Sequence, residues 1–227
     1  MSDVIEAGPR PSLAVEGEAG RFPIRRVFCI GRNYAEHARE MGHDDREPPF
    51  YFEKATEAVT SASEIPYPPL TTDLHHEIEL VVAIGTAGAD IAPADAPDHI
   101  YGYAVGVDLT RRDLQAEAKK LARPWAPAKS WRGAAPTGPV WPASRIGHPR
   151  KGRIWLEVDG EVRQDSDLQE MIWSVDEIVA TLSRYDRLEP GDLVFTGTPA
   201  GVGRLRPGCT VTGGVEGVGA ITFKIAG

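Results

Sequence analysis

Apolar positions along this chain fall in short runs cut by glycine, proline or charge, not in the three-and-four spacing of long helices. The segments Ser12–Val15, Arg26–Ile30, Ile78–Ile84, Tyr101–Val107, Ile154–Val158, Asp192–Phe195, Thr210–Thr212 and Ala220–Ile225 read as strands. Asp159-Gly160, set between Ile154–Val158 and Glu161–Arg163, is a type I′ hairpin signal. Three stretches read as helices. Asn33 stands as a cap before Tyr34–Met41, with Gly42 at its end. A second helix spans Asp113–Leu121, and a third runs to about Arg184 after Ser174 and Glu177, which have capping-box spacing. Residues 1–20 are expected to form an N-terminal arm, loose to residue 11 and then a short strand and a turn. Residues 43–73, dense in proline and charge, read as a long connection, and Pro124–Pro142 as an irregular stretch with three tryptophans. No repeat or linker divides the chain, so residues 1–227 are expected to form one mainly-β α+β domain with a few short helices.

Composition narrows the function classes. The chain has 227 residues, 41% of them hydrophobic, which is enough for a substantial core, and its 24 Gly and 19 Pro favour turns over a helical bundle. The net charge of −8, with no basic run, argues against nucleic acid and anionic membranes as partners. A small anionic substrate remains possible, because only the field inside its pocket need be positive. Cys29 and Cys209 form no metal or disulfide pattern, which fits a reducing cytosol. The acidic N-terminus lacks the apolar segment of a signal peptide, and no apolar run is long enough to span a bilayer, so a cytoplasmic location is expected.

The chemistry concentrates around Glu77 and Glu79. Side chains two apart on a strand share a face, so both carboxylates aim at one place beside apolar residues. Buried like charges need a cation between them, and oxygen ligands suit Mg²⁺, Mn²⁺ or Ca²⁺ better than zinc. The alternative is a solvated edge strand with outward glutamates. Asp108, at the end of an apolar run, can supply a third oxygen or cap the next helix. Thr110 and Asp113 compete for that capping role. His37 and Glu40, three apart on the first helix, are either a carboxylate-oriented general base or a surface pair. Arg112 and Gln115 share a helix face, and Arg32, Lys54 and Lys129 are further cations for an anionic substrate. The Thr196–Gly203 loop offers close backbone approach and hydroxyls, or is simply a tight turn. His75 and His76 face opposite sides of a strand and read as rim or structural residues. Trp125 and Trp131 read as packing.

In order along the chain, these segments resemble the fumarylacetoacetate hydrolase family. The matching pieces are Gly31-Arg32-Asn33-Tyr34 with His37 and Glu40, Glu77-Ile78-Glu79-Leu80, Gly106 to Gln115, Lys129-Ser130, Pro190-Gly191-Asp192 and Thr196 to Gly203. The resemblance covers nearly the whole chain from about Arg26, and within the family it is greatest to the enzymes that cleave fumarylpyruvate in aromatic degradation by the gentisate route. It implies a mixed β-sandwich roll, usually paired as a homodimer. It also implies a Mg²⁺ or Mn²⁺ site at Glu77, Glu79 and Asp108, and a water-activating dyad of His37 and Glu40. Lys129 would act beside them, and Arg32, Arg112, Gln115 and Thr198 would lie on the substrate side. The implied reaction is metal-dependent hydrolysis of a C–C bond in an acylpyruvate, a small anionic oxo-acid, with fumarylpyruvate giving fumarate and pyruvate. Oxaloacetate decarboxylation or oxo-acid isomerisation at the same metal is the nearest alternative, and a non-catalytic dicarboxylate-binding module is an alternative of another class. Two positions depart from the family pattern. Val107 stands where Asn is usual, and Trp131-Arg132 replaces Phe-Asp, which is expected to bring a cation to the pocket rim.

Overall fold

The computed structural model describes residues 4, 5, 8–34 and 48–227. A six-stranded mixed sheet forms its centre, in the order Trp141–Pro142, Ile100–Val107, Ile78–Ile84, Asp192–Phe195, Arg26–Gly31, Phe50–Lys54. Asp192–Phe195 and Arg26–Gly31 run parallel, and the other neighbours in this sheet are antiparallel. A five-stranded sheet packs against it, ordered Glu161–Asp167, Arg153–Val158, Thr210–Val215, Gly219–Ile225, Glu64–Ile65. A small sheet of Thr110–Arg111, Leu74–His76 and Gly203–Leu205 lies beside them. Among the described residues the α-helices are short: Arg112–Lys120, Ala126–Lys129, Ala143–Ile146 and Val175–Tyr185. The mainly-β α+β class read from the sequence holds.

The strand Ile78–Ile84 is buried along its whole length. Its even positions Ile78, Leu80, Val82 and Ile84 join Ile154, Leu156, Val211 and Phe223 in the core between the two large sheets. Its odd positions Val81 and Ala83 pack on the other face with Cys29, Ala104 and Phe195. Period-two alternation therefore aims Glu77 and Glu79 toward this second face. The edge-strand alternative fails, because this strand has neighbours on both sides.

Local signals hold where they are self-contained. Asp159 and Gly160 both have positive φ, as a type I′ turn requires. Ser174 and Glu177 form a reciprocal capping box ahead of Val175–Tyr185. The strand expected at Ser12–Val15 is present: Ser12–Ala14 pairs with Arg21–Pro23, and Leu13 and Phe22 are buried in the core. Two expectations need correction. The expected 43–73 connection contains a five-residue strand, Phe50–Lys54, on the edge of the central sheet. Its Phe-Tyr-Phe run is strand-forming, and the prolines at 48 and 49 only precede it. Asn33 is spent on tertiary bonds: Nδ2 donates to the carbonyls of Trp173 (2.9 Å) and Thr196 (2.8 Å), and Oδ1 accepts from Trp173 N–H at 2.8 Å. The turn it was expected to cap, Tyr34–Met41, lies outside the described residues beyond Tyr34.

Candidate metal centre and substrate cleft

The antiparallel register between Ile78–Ile84 and Ile100–Val107 assembles the acidic trio. Val107 pairs with Ile78 and Gly106 with Glu79, so Asp108 falls opposite Glu77 and shares its face. The Asp108 N–H donates to the Glu77 carbonyl at 2.8 Å and fixes that alignment. Glu77, Glu79 and Asp108 are all buried, and one carboxylate oxygen from each lies within 4.8 Å of the others. Three converging hard oxygens with room for exogenous ligands fit Mg²⁺ or Mn²⁺.

Cations from three other elements surround this anionic cluster. Lys129, ending the helix Ala126–Lys129, places Nζ 2.7 Å from Glu77 Oε2 and 2.7 Å from Asp108 Oδ2. Lys54, ending the strand Phe50–Lys54, lies 2.7 Å from Asp108 Oδ1 and donates to the carbonyl of Lys129. Arg112, opening the helix Arg112–Lys120, reaches Glu77 Oε1 at 2.5 Å and donates to Gln115 Oε1 at 2.6 Å. The Gly197 N–H donates to Glu79 Oε2 at 2.7 Å. Gly197 has φ +94°, and a Cβ there would lie 2.7 Å from Asn33 Cβ, so glycine is what permits this approach.

These contacts separate the carboxyls electrically. Burial would raise the pKa of Glu77, but Lys129 and Arg112 overcome it and hold the group well below the usual range. Burial raises Glu79, and the charges of Asp108 and Glu77 raise it further, since its main support is one backbone N–H. Burial would lower Lys129, yet Asp108 and Glu77 hold it above its ordinary value, so it remains an ammonium. Glu79 is thus the carboxyl most in need of a cation.

The trio floors a cleft of about 430 Å³, counting its open mouth. Arg32, Arg112, Gln115, Lys129 and Thr198, all singled out from the sequence, border it. Thr198 is held by Gln164, whose Nε2 donates to Thr198 Oγ1 at 2.8 Å and to the Pro199 carbonyl at 2.9 Å. Gln164 Oε1 accepts from Ile78 N–H at 3.1 Å and lies 3.0 Å from His76 Nδ1. The hydroxyl proton of Thr198 is therefore free to point into the cleft. His76 is buried, which lowers its pKa to about 4 and keeps it neutral, as its structural reading expects.

His37 and Glu40 lie outside the described residues. Other expectations change here. Lys54 is buried beneath the trio and does not border the cleft, so it neutralises Asp108 and is not a contact for substrate. Trp125 is not simply packing: it lines the cleft with Phe50 and Phe52, whose ring centroids lie 5.6 and 5.7 Å from its own. Trp131 does pack, under Arg111 at 4.4 Å. Arg132 is exposed and is not among the residues lining the cleft, so the expected rim cation is absent there. Val107 points into the inter-sheet core, away from the trio. Sequence reasoning missed Lys119, Phe50, Phe52 and Gln164. Only the Phe50 and Phe52 alternation carried a signal, because the others depend on long-range packing.

Fold and trio define a metal-dependent enzyme with an acid-lined cleft in a mixed β architecture. Residues 26–226 match the fumarylacetoacetate (FAA) hydrolase C-terminal family, and the chain belongs to the fumarylacetoacetate hydrolase family. The crystal structure of fumarylpyruvate hydrolase from Pseudomonas aeruginosa, in complex with Mn²⁺ and pyruvate, is 49% identical, covers 99% of both chains and has a TM-score of 0.97. The human mitochondrial oxaloacetate tautomerase FAHD1 is 38% identical over 202 residues, covering 88% of this chain and 91% of its own. The mitochondrial oxaloacetate decarboxylase of Dictyostelium discoideum is 36% identical over 196 residues, covering 86% and 90%. Among the described residues, no helix is long and apolar enough to cross a membrane.

Proposed function

We propose that this protein hydrolyses the C–C bond of an acylpyruvate, converting fumarylpyruvate to fumarate and pyruvate. The observation that carries the reading is the buried trio of Glu77, Glu79 and Asp108 at the base of a cleft otherwise walled by cations and aromatic rings. The similar fumarylpyruvate hydrolase, which holds Mn²⁺ and pyruvate, supports it. Glu77, Glu79 and Asp108 would hold Mg²⁺ or Mn²⁺, which when bound supplies Lewis-acid charge to the 2-oxo-acid end of the substrate.

The remaining work falls to the chain's own groups. Thr198, its oxygen occupied by Gln164, donates its hydroxyl proton to the pyruvate-end carboxylate. Arg112 adds positive charge on the same side, braced by Gln115. His37, oriented by Glu40, takes a proton from the attacking water; this assignment rests on their spacing and on the family motif. Water oxygen bonds to the distal carbonyl carbon, the adjacent C–C bond breaks, and its electron pair leaves as the enolate of pyruvate. Lys129, held as an ammonium, stabilises that negative charge. Protonation at the former bridging carbon releases pyruvate. The protein is also proposed to act in the cytoplasm, as one catalytic domain, and to pair as a homodimer.

A second reading, oxaloacetate tautomerisation or decarboxylation, is favoured by the two mitochondrial relatives. It uses the same enolate chemistry but needs no activated water. Proton NMR of reactions with fumarylpyruvate and with oxaloacetate, with Mg²⁺ or with a chelator, separates the two. Metal-dependent appearance of fumarate with pyruvate supports the hydrolase. Turnover of oxaloacetate alone supports the second reading and overturns the first.

A further inference from the structure

The mechanism above uses one end of the substrate, yet the cleft carries more positive charge than that end needs. Lys54, Lys129 and Arg112 are each ion-paired to the trio, three cations against three carboxylates. Two more cations, Arg32 and Lys119, border the cleft, and neither has a carboxylate partner among the described residues. Lys119 lies one turn beyond Gln115 on Arg112–Lys120, so it projects over the same side. Its Nζ lies 5.2 Å from the centroid of Trp125. Arg32 has its guanidinium carbon 5.4 Å from the centroid of Phe50. Phe50 and Trp125 meet edge to face. The result is a wall of two rings carrying one cation each.

Resting on the acylpyruvate reading, we propose that Lys119, steered by Trp125 and acting with Arg32, binds a second carboxylate at the far end of the substrate, making the protein selective for dicarboxylic over monocarboxylic acyl chains. With a divalent ion on the trio, one substrate carboxylate is met at the metal end, and Arg32 and Lys119, unpaired with any carboxylate among the described residues, are left to meet a second. Partial burial, with Arg112 and Arg32 close by, lowers the pKa of Lys119, so these cations repel one another until an anion arrives. The aromatic wall suits a flat, conjugated linker between the two ends.

The test avoids turnover, so it stands or falls separately from the hydrolase reading. Two seven-carbon probes, 2-oxoheptanedioate and 2-oxoheptanoate, share the oxo-acid head and differ in the far carboxylate. Their affinities for the Mn²⁺-loaded protein are measured by calorimetry. A charged hydrogen bond predicts that the dicarboxylate binds about tenfold or more tightly. Lys119→Met should bring the ratio close to one, and Lys119→Arg should restore much of it. Equal affinities in the unmodified protein, or a ratio unchanged in Lys119→Met, overturn the proposal. If the ratio behaves as expected while fumarylpyruvate is not cleaved, the hydrolase reading fails and the subsite stands.

Discussion

Asp108 is shared between two lysines, and that division organises the site. Lys54 approaches from below, fully buried, while Lys129 bridges Asp108 and Glu77 from the cleft side. Removing Lys54 leaves a buried carboxylate with half its support. Lys54→Met is expected to cost about 3 kcal/mol in urea unfolding. Metal affinity should change less, because the oxygens of the three proposed ligands remain. His76 gives a pH-dependent prediction. Its folded pKa of about 4 lies below its ordinary 6.5, so it favours folding while neutral. That contribution is complete above pH 6.5 and is lost as pH falls toward 4, amounting to roughly 3 kcal/mol. His76→Asn should flatten this part of the stability–pH curve, measured by denaturant unfolding at successive pH values.

At the scale of elements, the site is a product of register. One residue of slippage between Ile78–Ile84 and Ile100–Val107 would turn Glu77 and Glu79 into the inter-sheet core. The loop Thr196–Gly203 closes the same site from the neighbouring strand through the Gly197 N–H. Gly197→Ala is expected to destabilise by about 1–3 kcal/mol, given φ +94° and the crowding against Asn33. It should also weaken metal binding in a calorimetric titration, by moving the N–H that holds Glu79. The sequence was most legible where a signal is local. Glu77 and Glu79 alternate with apolar residues, Asp159-Gly160 announces its turn, and Ser174 and Glu177 announce a helix. It was least legible where direction depends on distant chain. Nothing near Lys54 marks it as buried beneath Asp108, and nothing near Gln164 marks it as the clamp on Thr198. Lys119 is one of two lysines ending a polar helix until Trp125 and the cleft give it a neighbourhood.

For the molecule as a whole, the proposed metal seat would link folding to metal binding through the trio. Glu79 has its pKa raised by burial and by Asp108 and Glu77, which is a standing cost in the metal-free protein. A divalent ion removes that repulsion. At a hundredfold excess over its dissociation constant it should add about 2.7 kcal/mol to stability, seen as a rise in melting temperature that a chelator reverses. The most direct test of the acylpyruvate mechanism is pyruvate release from fumarylpyruvate across a Mn²⁺ titration, with the unmodified protein beside Asp108→Asn. Saturable activation by the metal is expected, and the variant should lose about a thousandfold or more in kcat/KM. Equal turnover in the variant, or turnover that persists in excess chelator, would contradict the assignment of Glu77, Glu79 and Asp108 as the metal seat.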